Sequence, residues 1–150
     1  MPLLEPGAAA PDFELPDSTG APLRLSALRG QPVVVYFYPK DDTTVCTKQA
    51  CAFRDRFAEF ESSGARVLGI SDDSTASHAK FAAKYALPFT LLSDKGGAVR
   101  KLYGVTKKFG LIPGRATYVI DPAGKIRHVY SALSESSQHV EEALRVLTRS

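Results

Sequence analysis

Cysteine is scarce: Cys46 and Cys51 are the only two thiols in 150 residues. Two cysteines make no disulfide framework, and a chain of about this length buries roughly 68 to 70% of its unfolded surface without one. Long apolar runs are missing too. The longest mostly apolar stretch, Pro32 to Pro39, is far short of the roughly 20 residues that span a bilayer, so no membrane partner is expected. Charge of one sign is also lacking, since 19 basic against 16 acidic residues leave only +3. That balance argues against nucleic acid or an anionic membrane as a partner. Neither G-x-x-x-x-G-K-[ST] nor G-x-G-x-x-G occurs, which sets aside phosphate-binding nucleotide chemistry, and a thioredoxin-type C-x-x-C is absent. Residues Met1 to Phe13 carry Glu5, Asp12, Pro2, Pro6 and Pro11 where a secretory signal places a basic start and an unbroken apolar stretch. The expectation is a soluble cytoplasmic protein, in a compartment where a cysteine pair is more often catalytic or metal-binding than structural.

What is present reads as one domain over residues 1–150, with 44% hydrophobic and 23% charged positions and no linker or internal repeat. Val33 to Tyr38 is a continuous β-branched and aromatic run, the pattern of a strand buried on both faces, and Pro39 ends it. Arg66 to Ser71 and Ala116 to Asp121 read the same way. Helical patterns cover Val45 to about Ser62, Ser74 to Tyr85, Gly97 to Tyr103 and Ser137 to Leu147. Alternating strand and helix predicts an α/β fold. Pro122 to Lys125 is a turn signal before Ile126 to Ser131, so the last two strands form an antiparallel hairpin and the central sheet is mixed. Near the start, Asp12 to Leu15 and Leu23 to Leu25 flank the turn Asp17 to Gly20 as a small hairpin, and Ser26 to Gly30 reads as one capped helical turn.

Both cysteines fall at the start of the helix after the first core strand. A helix N-terminus presents N–H groups without intrahelical acceptors and the positive end of the macrodipole, which favour a thiolate over a thiol. From Cys46, Ala50, Phe53, Phe57 and Phe60 recur on the stripe that a helix buries, so Cys46 points to the core. Cys51 lies about 140° around the helix, with the two Cα atoms roughly 8 to 9 Å apart. A disulfide needs about 7 Å or less, so oxidation of the pair requires the first turns to unwind. On these residues alone, Cys46 as a small buried hydrophobe and Cys51 as a chance second thiol is an equal reading. A metal site is the weaker one: C-x4-C has no second pair, and His78, His128 and His139 show no ligand spacing to it.

Upstream stands Pro39-Lys40-Asp41-Asp42-Thr43-Thr44-Val45-Cys46. P-x-x-x-T-x-x-C after V-V-V-Y-F-Y resembles the active-site signature of peroxiredoxins. The stretch YFYPKDDTTVCTKQACAFRDRF, with APDFELPD, VLGIS, LPFTLLSD and GRATYVIDPAGKI, is similar to the peroxiredoxin Q branch, also called bacterioferritin comigratory protein. The resemblance implies a thioredoxin-like fold with a central mixed sheet flanked by helices and an N-terminal hairpin extension. It also implies a thiol-dependent peroxidase that needs no cofactor and no metal. Its substrates would be hydrogen peroxide and organic hydroperoxides, and a thioredoxin-like protein would be the reductant.

Carried over, the resemblance makes Cys46 the peroxidatic nucleophile and Cys51 the resolving thiol of an intrachain disulfide, the atypical 2-Cys arrangement. Thr43 would orient the peroxide, Pro39 would shield the thiolate from water, and Arg115 would pack against the sulfur. Without the resemblance, Arg115 reads as a surface residue in a Pro113-Gly114-Arg115 turn, Thr43 as a cap and Tyr38 as packing. Gln49 matches a position where relatives carry Glu or Gln, and reads equally as a partner of Arg115 or as an exposed helix residue.

The chain departs from the family in having Thr44-Val45 where Pro-Gly is common, which restores an N–H donor and stiffens the turn. The end, Leu147 to Ser150, lacks the Tyr-Phe tail of overoxidation-sensitive dimeric relatives, and because both cysteines lie in one chain the resemblance implies a monomer. Competing readings are a redox sensor or chaperone switched by the Cys46 to Cys51 disulfide, and a protein thiol-disulfide oxidoreductase.

Overall fold

A computed structural model describes residues 3–105, 107–108, 112–113, 115–131 and 136–148. Gly114 of the Pro-Gly-Arg turn and the terminal Arg149 and Ser150 lie outside them. Glu14–Pro16 (β1) and Pro22–Arg24 (β2) pair antiparallel. Their turn is fixed by Asp17, whose Oδ1 accepts from the N–H of Thr19 at 2.8 Å and of Ala21 at 3.1 Å. Gly20 supplies a φ of 89° that other residues adopt only at a cost. A 3-10 turn, Leu25–Leu28, follows and buries both of its leucines.

The chain then runs through Val33–Phe37 (β3), Thr44–Asp55 (α1), Phe57–Ser62 (α2), Arg66–Ser71 (β4), Thr75–Tyr85 (α3) and Thr90–Ser93 (β5). Ala98–Leu102 (α4), Lys107–Lys108 (β6), Ile112–Pro113 (β7), Ala116–Ile120 (β8), Ile126–Ser131 (β9) and Ser136–Leu147 (α5) complete it. The main sheet has the order β5-β4-β3-β8-β9: β3, β4 and β5 are parallel, and β8 and β9 run antiparallel to their neighbours. This is the mixed sheet that the sequence predicts, with β1 and β2 as the N-terminal hairpin.

The unbroken apolar run of β3 has a direct cause. Val34, Tyr36 and Tyr38 join Cys46, Ala50, Phe53 and Phe60 in the core under α1 and α5, while Val33, Val35 and Phe37 join Leu68, Ile70, Tyr103 and Tyr118 on the opposite face. Alternate side chains thus fill two separate cores, and no position is left for a polar residue.

Three features differ from the sequence reading, the first being the additional antiparallel pair of β6 and β7. β5 is an additional strand at the sheet edge, and the helix expected over Val45 to Ser62 is two helices that meet at Arg56 (φ −106°, ψ 12°). The Arg56 guanidinium bridges Glu59 and Glu141 at that joint, and Phe53 and Phe60 are both buried on either side of it.

Close packing fixes Gly69 on β4. A Cβ there would lie 2.8 Å from Leu91 Cδ2 and from Cζ and Oη of Tyr36, whose ring is stacked on Phe53 at 4.5 Å and cannot yield. Gly69→Ala should therefore cost about 1 to 3 kcal/mol of stability. For a domain of this size the melting temperature should drop by about 2 to 12 °C; an unchanged melting curve would mean that this contact is looser than described.

Candidate active site

The loop after β3 carries Pro39 and Thr43 and delivers the chain into α1. Thr43 is the N-cap residue by backbone conformation, but its side chain makes no cap hydrogen bond. Its Oγ1 donates instead to the carbonyl of Lys40 at 3.0 Å, which leaves the oxygen's lone pairs available to accept at an exposed position. The first intrahelical bond runs from Thr47 N–H to Thr43 O at 2.8 Å. The N–H groups of Thr44, Val45 and Cys46 therefore have no acceptor within the helix, and no acidic side chain occupies the first turn. Such a turn favours an anion.

Cys46 sits in that first turn, buried to 2% exposure, with Ala50, Phe53 and Phe60 below it as the periodicity requires. Arg115, at the entry to β8, is 3% exposed and directs Nη2 at Cys46 Sγ, 3.1 Å away. Its Nη1 donates to Gln49 Oε1. Gln49 is fully buried, which decides between the two readings of that residue. Its amide oxygen orients the guanidinium without carrying a charge of its own. The carbonyl of Arg115 in turn accepts from Ser131 Oγ at 3.1 Å, tying the arginine to β9.

Cys51 is partly exposed and both thiols are free. The two cysteines therefore lie on different faces as the helix geometry predicts, one buried in the core and one partly exposed. Pro39 is half-buried at the end of β3. Tyr38 is packed rather than lining an open pocket, and its hydroxyl donates to Asp41 Oδ1 at 2.6 Å. Burial pushes the Tyr36 phenol far above its ordinary range, so that it stays neutral beneath the site. Among the described residues no group of three or more His, Cys, Asp or Glu is placed to hold a metal, and no helix is long and apolar enough to cross a membrane. Residues that sequence reasoning passed over are Asp41 and His78, joined at 2.7 Å behind the loop. The acidic pair Asp41-Asp42 directly after a core strand is the one local signal for them.

A guanidinium held against a buried cysteine at a helix start has the look of a thiol-redox centre, and comparison with known proteins decides which kind. Residues 6–129 match the AhpC/TSA family. The chain belongs to that family, in the peroxiredoxin Q branch. It is 53% identical over 142 residues to "Peroxiredoxin Q, chloroplastic" of Sedum lineare, covering 94% of this chain and 76% of that protein. The rice peroxiredoxin Q (Oryza sativa subsp. japonica) is 52% identical over 142 residues, 94% of this chain and 65% of its own length. Among solved structures, peroxidoxin BcpB of Mycobacterium tuberculosis superposes with a TM-score of 0.90 at 41% identity over 97% of both chains. Peroxiredoxin Q of Xanthomonas campestris gives 0.86 at 33% identity, over 98% of this chain and 96% of that one.

The thioredoxin-like peroxiredoxin fold and thiol peroxidase activity expected from the sequence are thus both supported. One expectation is corrected. The curated peroxiredoxin Q relatives are designated chloroplastic, which points to a plastid rather than the cytoplasm and overturns the cytoplasmic reading. Composition and core chemistry carry no address, because targeting is read from separate segments, and the matched relatives extend beyond the aligned region.

Proposed function

We propose that Cys46 is the peroxidatic residue of this thiol peroxidase and Cys51 its resolving partner, acting within one domain over residues 1–150 and as a monomer. The observation that carries the reading is the 3.1 Å approach of Arg115 Nη2 to Cys46 Sγ, with both groups buried and the sulfur in the first turn of α1. A hydrogen bond from a guanidinium strengthens when the sulfur is anionic, and the thiolate is the nucleophile.

In the first step the Cys46 thiolate attacks the terminal oxygen of a hydroperoxide. The S–O bond forms as the O–O bond breaks, and the departing alkoxide or hydroxide takes up a proton to leave as alcohol or water. Thr43 accepts from the peroxide O–H through its free lone pairs. Arg115 and the first-turn N–H groups stabilise charge as it moves from sulfur to the leaving oxygen. Pro39 covers the sulfur against water. In the second step the Cys51 thiol attacks the Cys46 sulfenic acid; the S–S bond forms, the S–O bond breaks, and water leaves. A dithiol of the thioredoxin type then reduces the disulfide to two thiols and is itself oxidised to a disulfide.

Steady-state assay with thioredoxin, its reductase and NADPH tests this against a sensor that reacts once. Peroxide consumption should continue through many turnovers per chain until one substrate is exhausted. A burst of one equivalent followed by arrest, with the reductant system shown to be active, would favour the sensor.

A further inference from the structure

His78 takes part in no step above, yet it is 0% exposed. Its Nε2 lies 2.9 Å from the carbonyl oxygen of Leu92, which can only accept, so Nε2 carries a hydrogen. Its Nδ1 lies 2.7 Å from Asp41 Oδ2. A bare imidazole nitrogen facing a bare carboxylate would oppose two lone pairs, so this contact is a hydrogen bond that ties the two side chains together. Asp41 also accepts from the hydroxyls of Tyr38 at 2.6 Å and Ser77 at 2.7 Å. Removing either member of such a buried pair strands the other without its partner.

The same residue is held by its backbone. Asp41 N–H donates to Asp73 Oδ2 at 2.7 Å, and Asp73 is fixed by Ser71 Oγ at 2.7 Å and, through its carbonyl, by Ser93 Oγ at 2.6 Å. Asp42 follows with a left-handed φ of 59°, and its carboxylate accepts from Lys84 Nζ and Tyr85 Oη, each at 2.8 Å. The loop that carries Pro39 is thereby joined to β4, α3 and β5. Past Cys51 the helix is anchored again: Phe53 is fully buried and Arg54 Nη1 donates to the carbonyl of Tyr85 at 2.9 Å. Between these anchors, the contacts of Cys46 and Gln49 with Arg115 are ones that the resolving step must in any case release.

We infer that Asp41 and His78 are positioning residues that form a fixed hinge, holding residues 39–42 on α3 while residues 43–52 alone unwind for the Cys46–Cys51 disulfide. This rests on the disulfide reading above. The hinge returns Pro39 and Thr43 to the same place after every turnover.

Hydrogen exchange read by mass spectrometry on the full chain, reduced and peroxide-oxidised, tests it. Oxidation should speed exchange in 43–52 by about tenfold or more and leave 33–41 and 74–85 within about twofold. In Asp41→Asn and in His78→Phe, exchange on oxidation should spread into 74–85. Those variants should also react with peroxide about tenfold or more slowly, while disulfide formation from the sulfenic acid is not slowed. A general loss of structure would instead raise exchange throughout the chain, in β8 and α5 as much as in 74–85, and would overturn the positioning role. Wild-type exchange that rises in 74–85 as strongly as in 43–52 overturns the hinge alone. If intact mass shows no Cys46–Cys51 disulfide, the disulfide reading and the hinge fall together. Should the variants not fold, the wild-type comparison decides.

Discussion

Cys46→Ser should abolish peroxide turnover, a loss on the order of 10⁶-fold, the lower end of what enzymes supply over uncatalysed reactions. The surroundings survive the change: Arg115, the open first turn of α1 and Thr43 all remain in place. What disappears is an atom that ionises within reach of neutral pH and moves reversibly through a sulfenic acid. A serine hydroxyl does neither. Cys51→Ser should behave differently, keeping the first attack on peroxide and stalling after one equivalent with thioredoxin as sole reductant. The coupled assay run on both variants checks the division of roles. Residual turnover of Cys46→Ser above about a tenth of wild type would remove this cysteine from the centre of the chemistry.

Arg115→Ala should lower the second-order rate of peroxide attack by about 10²- to 10³-fold, the usual effect of removing one preorganised donor from developing charge. The expectation is large because the guanidinium is buried and serves two partners at once, Gln49 Oε1 and Cys46 Sγ. Arg115→Lys should recover only a minor part. An ammonium is a compact point charge and cannot reach both acceptors in the fixed fork of a guanidinium. Single-turnover quench at several peroxide concentrations gives the rate directly. An Arg115→Ala rate within about threefold of wild type would assign the stabilisation of the thiolate to the helix start alone.

Continuous apolar runs in the sequence located β3, β4 and β8, the turn signal before Ile126 located β9, and 3.6-residue periodicity located the buried stripe under Cys46, all patterns set by the two apolar cores. β5 was passed over: Thr90 to Ser93 is only four residues long, and its pairing to β4 is a long-range contact with no local mark. The break at Arg56 is equally silent, since neither glycine nor proline stands there and the arginine's partner Glu141 lies 85 positions away on α5. At the site, helix geometry alone placed Cys46 inward and Cys51 on a different face. Arg115 came from family resemblance, since a lone arginine in a turn carries no sign of the sulfur that it meets 69 positions away. Asp41 and His78 were invisible for the same reason, because their meeting depends on how α3 lies against the β3 exit.

The most direct test of the account is intact mass and free-thiol count after one equivalent of hydrogen peroxide is added to fully reduced wild type, Cys46→Ser and Cys51→Ser. Wild type should lose both thiols and gain no oxygen, Cys51→Ser should gain one oxygen atom, and Cys46→Ser should stay unmodified. Oxygen retained on wild type with both cysteines unlinked, or an adduct on Cys51 in the Cys46→Ser chain, would contradict it.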